Sequence, residues 1–564
     1  MSKINPKKAY ASEIFDGFNG IGADQTPRGR GMLSMRNFRI LPDGSIQKRC
    51  GWRTLASLLS PMRGCWFGEL NNQSLGFAVA NSSIYRLNEI QKTKIGELST
   101  YDGTVRFFTY GGILYLLDGD GILRYDANDD RFVTASGYVP LFGVDWHPLT
   151  LGAMNEPLNL LNDRVRLHYK NQIGATNFLL PFYVSSIDQV RLDGKVTNDF
   201  TISEEGNSFS VTKAATSVEV ACTIQLYSET KQTLISSPCA FAYNDGIREQ
   251  LLIYGSRSAN LLFCATDVNE NMIGASKAIY PDSDPLYFNS RGTLPLGDSA
   301  HPITSVCRHH DRFLAFHKDG AYSLSVTEGG TAEAYPLLGG MGCRATDAIL
   351  QLDGDPVVIN SGGVFALHTP LSDRDDFTYE ALSEALPELR SDSFTDLALT
   401  VADPAHGELW FAAPSSDIYV FNTTRRQWYV FRNVDPFFFF RYGDRVGFAS
   451  NDVLGVFEDG LTADNGSPIV ANIQTGYLSF GNPEVLKRTL RLSVCADAGC
   501  RATVDVSSEK KSLRFVLDGS SQRSFPVVFD QRLSIGRFRM LRLTINDSLG
   551  INSRYYRLAL FANV

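Results

Sequence analysis

The sequence predicts an all-β protein organised as a β-propeller of about six or seven blades. An inserted immunoglobulin-like sandwich interrupts it and a C-terminal β-sandwich follows it. Three observations predict this. Ile113–Tyr125 reads Ile-Leu-Tyr-Leu-Leu-Asp-Gly-Asp-Gly-Ile-Leu-Arg-Tyr, two apolar strands about an Asp-Gly turn. That is a strong hairpin signal, because Gly reaches positive φ without steric cost. The pattern recurs at Leu75–Leu87, Leu251–Ala265, Phe313–Leu324, Val357–Leu367, Glu408–Phe421 and Val446–Phe457. Consecutive copies lie roughly 40–50 residues apart, the period of a four-stranded blade. One hairpin cannot bury an apolar face alone, so such units stack about a common axis. A plain sandwich would give turn signals without the longer period.

Composition agrees. At 564 residues the chain exceeds one ordinary core. With 43% hydrophobic residues, 48 Gly, 23 Tyr and 36 Phe it suits an ordered, turn-rich β protein. No apolar run is long enough to span a bilayer as a helix. Met1–Lys8 has charges without an apolar stretch behind them, so no signal peptide is expected. The nine cysteines repeat no spacing, which points to reduced thiols in a protein assembled in a cytoplasm, although Cys495 and Cys500 could meet across a hairpin.

The net charge of −8 is unevenly spread. Residues 1–53 hold ten Lys and Arg against four Asp and Glu, +6, leaving −14 for the rest. A basic arm on an acidic body suggests docking to an acidic surface or nucleic acid. The arm also carries Phe15, Phe18, Leu33, Phe38 and Ile40, which favours docking against protein.

In chain order, residues 1–60 form an arm and a hairpin. The arm is Gly-rich through Asp16–Gly22 and tightens into Met35–Trp52 on a Pro42-Asp43-Gly44 turn. Residues 61–150 hold the first blades. Residues 151–232 alternate with period two in about six short strands and form the inserted sandwich. Residues 233–468 return to blades, and 469–564 form the final sandwich. Asp373–Leu389 is the best short helix, with Leu382, Ala385 and Leu386 at helical spacing before Pro387.

Arg36-Asn37-Phe38, then Asp43-Gly44-Ser45-Ile46, then Lys48-Arg49-Cys50-Gly51 resembles the opening of the β-propeller tail proteins of tailed bacteriophages. The nearest group is the nozzle, or tail tubular protein B, of short-tailed phages. Cys50 stands where that pattern more often has Pro. Leu251–Ser256 with Asp284–Phe288, and Gly342-Cys343-Arg344-Ala345, resemble further signatures of the group in the same order, and together they cover most of residues 30–460. An inserted sandwich is also common there. The resemblance implies a structural virion protein. Six subunits would form a ring that docks under the portal and adaptor, meets tail fibre or needle proteins, and extends and gates the channel. Viral DNA would pass without sequence-specific binding. Localisation would be the virion tail, after assembly in the host bacterial cytoplasm. A hub or baseplate part of a longer tail shares the fold. A glycan-binding propeller or glycosidase is the reading from another class. Arm contacts are expected at Arg36, Phe38, Lys48 and Arg49.

No reaction site, cofactor or metal is expected. Cys307, His309, His310 and His317 are the densest metal-type cluster, but a strand would point His309 and His310 to opposite faces. There is no HExxH, P-loop or GxSxG pattern. Asp118, Asp120, Asp319, Asp353 and Asp355 sit in turns, where Asp serves the backbone. Asp126–Asp130 offers alternating oxygens but lacks the Gly and distal Glu of an EF-hand loop. Trp410, Trp428 and Phe437–Phe440 read as blade core. Arg432 and Arg441 flank that run, leaving base stacking as the alternative.

Overall fold

The computed structural model describes residues 10–22, 31–59, 61–88, 91–224, 228–246, 248–256, 259–297, 301–327, 331–337, 341–368, 378–519, 526–548 and 553–563. The chain is an all-β propeller protein with an inserted sandwich and a terminal sandwich. It divides into two compact units, residues 63–88 with 92–343, and residues 1–62 with 89–91 and 344–564.

Six four-stranded antiparallel sheets, and a run of four antiparallel strands within a nine-stranded sheet, carry the blade repeat among the described residues. In each, the hairpin read from the sequence is the central pair. In the second blade Ile113–Leu117 and Ile122–Asp126 pair with Leu117 opposite Ile122. Arg106–Tyr110 and Arg131–Thr134 flank them. The hairpins at Gln73–Asn88, Glu249–Ala265, Arg312–Val326, Asp355–His368, Glu408–Asn422 and Arg445–Phe457 hold the same place in their sheets. Arg257 and Ser258, part of the turn expected at Gly255–Ser258, lie outside the described residues. Buried Val, Ile, Leu and aromatic side chains cover both faces of the central strands. Glu408–Ala412 is buried at every position. The third and fourth blades share a core. Leu252, Tyr254 and Leu262 of the third blade pack with Val306, Phe313 and Leu324 of the fourth.

The seventh blade takes its fourth strand from the start of the chain. Trp52–Ser57 pairs antiparallel with Val453–Phe457, Trp52 opposite Phe457. Its partners stand some 400 residues away, which no local pattern reveals.

The insertion forms a five-stranded sheet against a three-stranded one, around Trp146, Tyr169, Phe178, Phe209 and Val220. It starts earlier than expected. Leu141–Trp146 pairs parallel with Arg164–Lys170 and belongs to the larger sheet.

The arm expected at 1–60 is not a free arm over its described part. Tyr10–Phe15 pairs with Arg554–Asn563. Met32–Arg36 lies between Gln427–Phe431 and Ala471–Thr475. Ile46–Lys48 pairs with both Phe38–Ile40 and the last strand. The final sandwich is thus built from both ends of the chain. One of its sheets continues through Met32–Arg36 into the sixth blade.

The helix expected at Asp373–Leu389 is corrected. Asp373–Phe377 lies outside the described residues, Thr378–Ala381 is a blade strand, and Pro387–Arg390 is a single 3₁₀ turn. Pairing with Gly363–His368 overrides the helical spacing. Two short helices, Glu229–Ile235 and Glu270–Lys277, fill connections.

Candidate functional site

Asn37, Phe38, Lys48, Arg49 and Gly51 of the first resembling stretch gather with Arg39 into one buried, charged node beneath the N-terminal hairpin. The hairpin folds as its sequence directs. Gly44 adopts φ +83°, and Asp43 Oδ1 accepts from Ser45 N at 3.0 Å and Ser45 Oγ at 2.6 Å. Asn37 takes a left-handed φ of 56°, and its side chain is a hub. Its Oδ1 accepts from Arg49 Nε at 3.0 Å and Arg432 N at 2.8 Å, while Nδ2 donates to Val470 O at 2.8 Å. Gly51 is forced by space, since a Cβ there would lie 1.9 Å from Ala463 O.

Cations line the node and distant carboxylates answer them. Arg49, 1% exposed, forks onto Asp464 at 2.8 and 2.6 Å. It also donates to Cys50 O and Arg432 O, and its guanidinium lies 5.7 Å from the ring centres of Phe431 and Phe457. Lys48 Nζ lies 3.3 Å from Asp547, whose other oxygen accepts from Tyr555 OH at 2.8 Å. Arg39 Nε is 2.9 Å from Glu408 Oε1, an ion pair without hydrogen-bond alignment, and NH2 is 3.4 Å from Asp403. Burial opposes the Arg39 charge, but Glu408 and the other surrounding anionic groups outweigh it and hold its pKa above the ordinary value. Glu408 also accepts from Trp410 Nε1 at 2.9 Å and Tyr429 OH at 2.5 Å. Burial, then the Glu408 charge, pushes the Tyr429 phenol far up. His406 stands between Asp403 at 2.8 Å and Asp459 at 3.3 Å.

This placement corrects the docking expectation for three of four residues. Phe38 is fully buried with its ring edge-to-face on Tyr555 at 5.7 Å, and Lys48 and Arg49 are buried ion-pair partners. They dock the arm onto its own chain. Arg36 is half-buried. Burial and then the like charge of Arg432 lower its pKa, against Asp417. The acids of the node escaped sequence reasoning. Their signal was an acid in a strand's apolar alternation: Asp403 continues Leu399 and Val401, and Asp547 continues Leu541, Leu543 and Ile545.

Other sequence candidates find local uses. His310 adopts φ 52° at a hairpin turn, so the rings of His309 and His310 meet at 4.2 Å rather than facing opposite sides. Asp118 accepts from Asp120 N, Gly121 N and Thr100 Oγ1. Asp126 caps Asn128 N, Asp129 pairs with Arg131, and Asp130 with Arg86. Trp410 and Trp428 are buried, and Phe439 packs 6.2 Å from Trp410. No disulfide joins Cys495 to Cys500, and the other seven cysteines are likewise unbridged.

No protein-family model and no curated protein matches this chain. Solved structures with similar architecture include the CNH domain of AfRom2, at 8% identity and TM-score 0.37, covering 72% of this chain and 99% of that one. The N-terminal part of BBS1, in complex with ARL6, aligns at 12% identity and TM-score 0.33, covering 73% and 98%. Sqt1 of Saccharomyces cerevisiae aligns at 10% and 0.31, covering 73% and 98%.

What the node can do is mechanical. Its cations are consumed by carboxylates of the same unit. It ties the N-terminal hairpin to the sixth blade through Asp403 and Glu408, to the segment after the seventh through Asp459 and Asp464, and to the terminal sandwich through Asp547.

Proposed function

We propose that this β-propeller protein is a structural virion component, a subunit of the nozzle ring of a short-tailed phage. The carrying observation is that resembling residues Asn37, Phe38, Lys48, Arg49 and Gly51 help build the node. They are spent on locking both chain ends into one body, not on a reaction. A channel wall that holds a pressurised genome needs this property. Its subunits must resist unravelling from a terminus, and here the first and last strands are paired to each other. In this reading the acidic blades line a passage that repels DNA phosphates, so the duplex slides.

The test is reconstitution. Purified protein mixed with a portal–adaptor complex of the source virion is imaged by electron microscopy. A ring of copies seated below the adaptor is expected. Copies that never join the complex, or that retain or hydrolyse polysaccharide, overturn the proposal.

A further inference from the structure

The C-terminal sandwich carries a second charge anomaly. Residues 469–564 hold fourteen Lys and Arg against seven Asp and Glu, in a chain whose net charge is −8. Residues 344–468, the fifth to seventh blades, hold eight against twenty; Asp403, Glu408 and Asp464 of these are spent in the node, while Asp353, Glu384, Glu388, Asp435, Asp444 and Asp452 are exposed.

Four of the sandwich's arginines share the outer face of one sheet. Arg488 of the strand Lys487–Ala496 stands directly opposite Arg537, and Arg491 of the same strand stands directly opposite Arg532. A register irregularity between Thr489 and Arg491 returns Arg488 and Arg491 to one face. All four are exposed. Like charges directly opposite one another oppose sheet formation, so two such pairs side by side are a feature that folding alone does not favour. Only Arg491 has a carboxylate among the described residues, Asp530 at 3.1 Å.

The face is not purely ionic. Arg491 lies 5.4 Å above the Phe561 ring, and Val528, 55% exposed, stands opposite Cys495, four residues along the same pair of strands. The strand Val527–Arg532 is the last of its sheet among the described residues. Arginine set beside apolar side chains is enriched in protein interfaces.

We infer that this arginine face of the terminal sandwich docks on the acidic fifth-to-seventh blades of a second copy of the chain. The charge complementarity is carried by the one sequence, and the two surfaces differ. The contact is therefore heterologous, the kind that closes into a ring when the rotation permits. The pairwise contact stands on the charges and the face; only its closure into a ring rests on the nozzle reading.

The test uses the full chain with Arg532→Glu and Arg537→Glu. Each new Glu faces Arg488 or Arg491, so the melting temperature should hold or rise. Mass photometry follows self-association from about 0.03 M to about 0.5 M NaCl. Wild type is expected to associate at low salt and to weaken at least about tenfold at high salt; the double variant is expected to lose at least about tenfold at low salt. Should that variant melt early, Arg532→Gln with Arg537→Gln carries the test. A wild type monomeric at every salt, or association indifferent to both variants, overturns the inference. So does a short DNA duplex that binds this face more tightly than a second copy does and is lost in the variants. Failure of the nozzle reading looks different: self-association persists and responds to the variants, yet no ring seats on the portal–adaptor complex.

Discussion

Asp464→Ala should unfasten the N-terminal hairpin while leaving residues 63–343 folded. Arg49 is 1% exposed, and Asp464 receives two of its hydrogen bonds. Removing one partner of a buried pair costs about 3–5 kcal/mol, because the remaining charge is stranded. Three contacts of Arg49 survive, to Asn37, Cys50 O and Arg432 O, which places the loss near the lower end. At about 1.4 kcal/mol per decade, roughly 3 kcal/mol is about a hundredfold. Hydrogen exchange read by mass spectrometry on peptides spanning Phe38–Ile40 and Ile46–Lys48 should lose protection by about that factor. The pair also predicts a sign. Arg49→Met with Asp464→Leu removes both charges, so the double variant should be more protected than Asp464→Ala alone. Loss under tenfold for the single variant, or a double variant that is worse, refutes the account of the node.

Gly51→Ala should lower the melting temperature of the unit holding the node by several degrees, since its Cβ would sit 1.9 Å from backbone oxygen rather than a movable side chain; scanning calorimetry reads it. His406 has a raised pKa: burial lowers it, but the hydrogen bond to Asp403 outweighs that. Its contribution is therefore complete below the unfolded value of about 6.5 and is lost as pH rises through the folded value. The melting-temperature gap between wild type and His406→Gln should shrink toward alkaline pH, and a constant gap would count against the ion pairs. Deleting residues 1–57 strips the seventh blade of Trp52–Ser57 and the sandwich of four strands, so limited proteolysis should digest 344–564 and spare 63–343. Burial pushes the Cys222, Cys264 and Cys500 thiols up to about 12. A thiol reagent on native protein should leave them unmodified until denaturant is added.

The central hairpins of all seven blades were legible because their signals are local. An Asp-Gly or Asn-Ser turn and two apolar strands fit within some fifteen residues, and the turn fixes the register. The flanking strands were less legible, and the seventh blade's closing strand not at all, because Trp52 answers Phe457. The same limit governs the node. A run of Lys and Arg in residues 1–53 looks free when read in order, since Arg39, Lys48 and Arg49 find their acids some 360 to 500 residues later. Net charge of a segment therefore misled the site assignment. It counted +6 as available to a partner, when part of it was already neutralised within the fold.

That error suggests where unspent charge is to be sought. A buried cation must be paired, because stranding it costs several kcal/mol, so its partner is built into the chain. An exposed cation carries no such demand, and surface pairs contribute little. Arg49 and Arg532 contribute equally to net charge, yet Arg49 is enclosed by Asp464, while Arg532 stands exposed opposite another arginine. Only the second kind has charge left to offer a neighbour. Arg488, Arg532 and Arg537 are exposed cations without a carboxylate among the described residues, and if the chain assembles with itself, changing Arg532 and Arg537 should alter association before it alters folding.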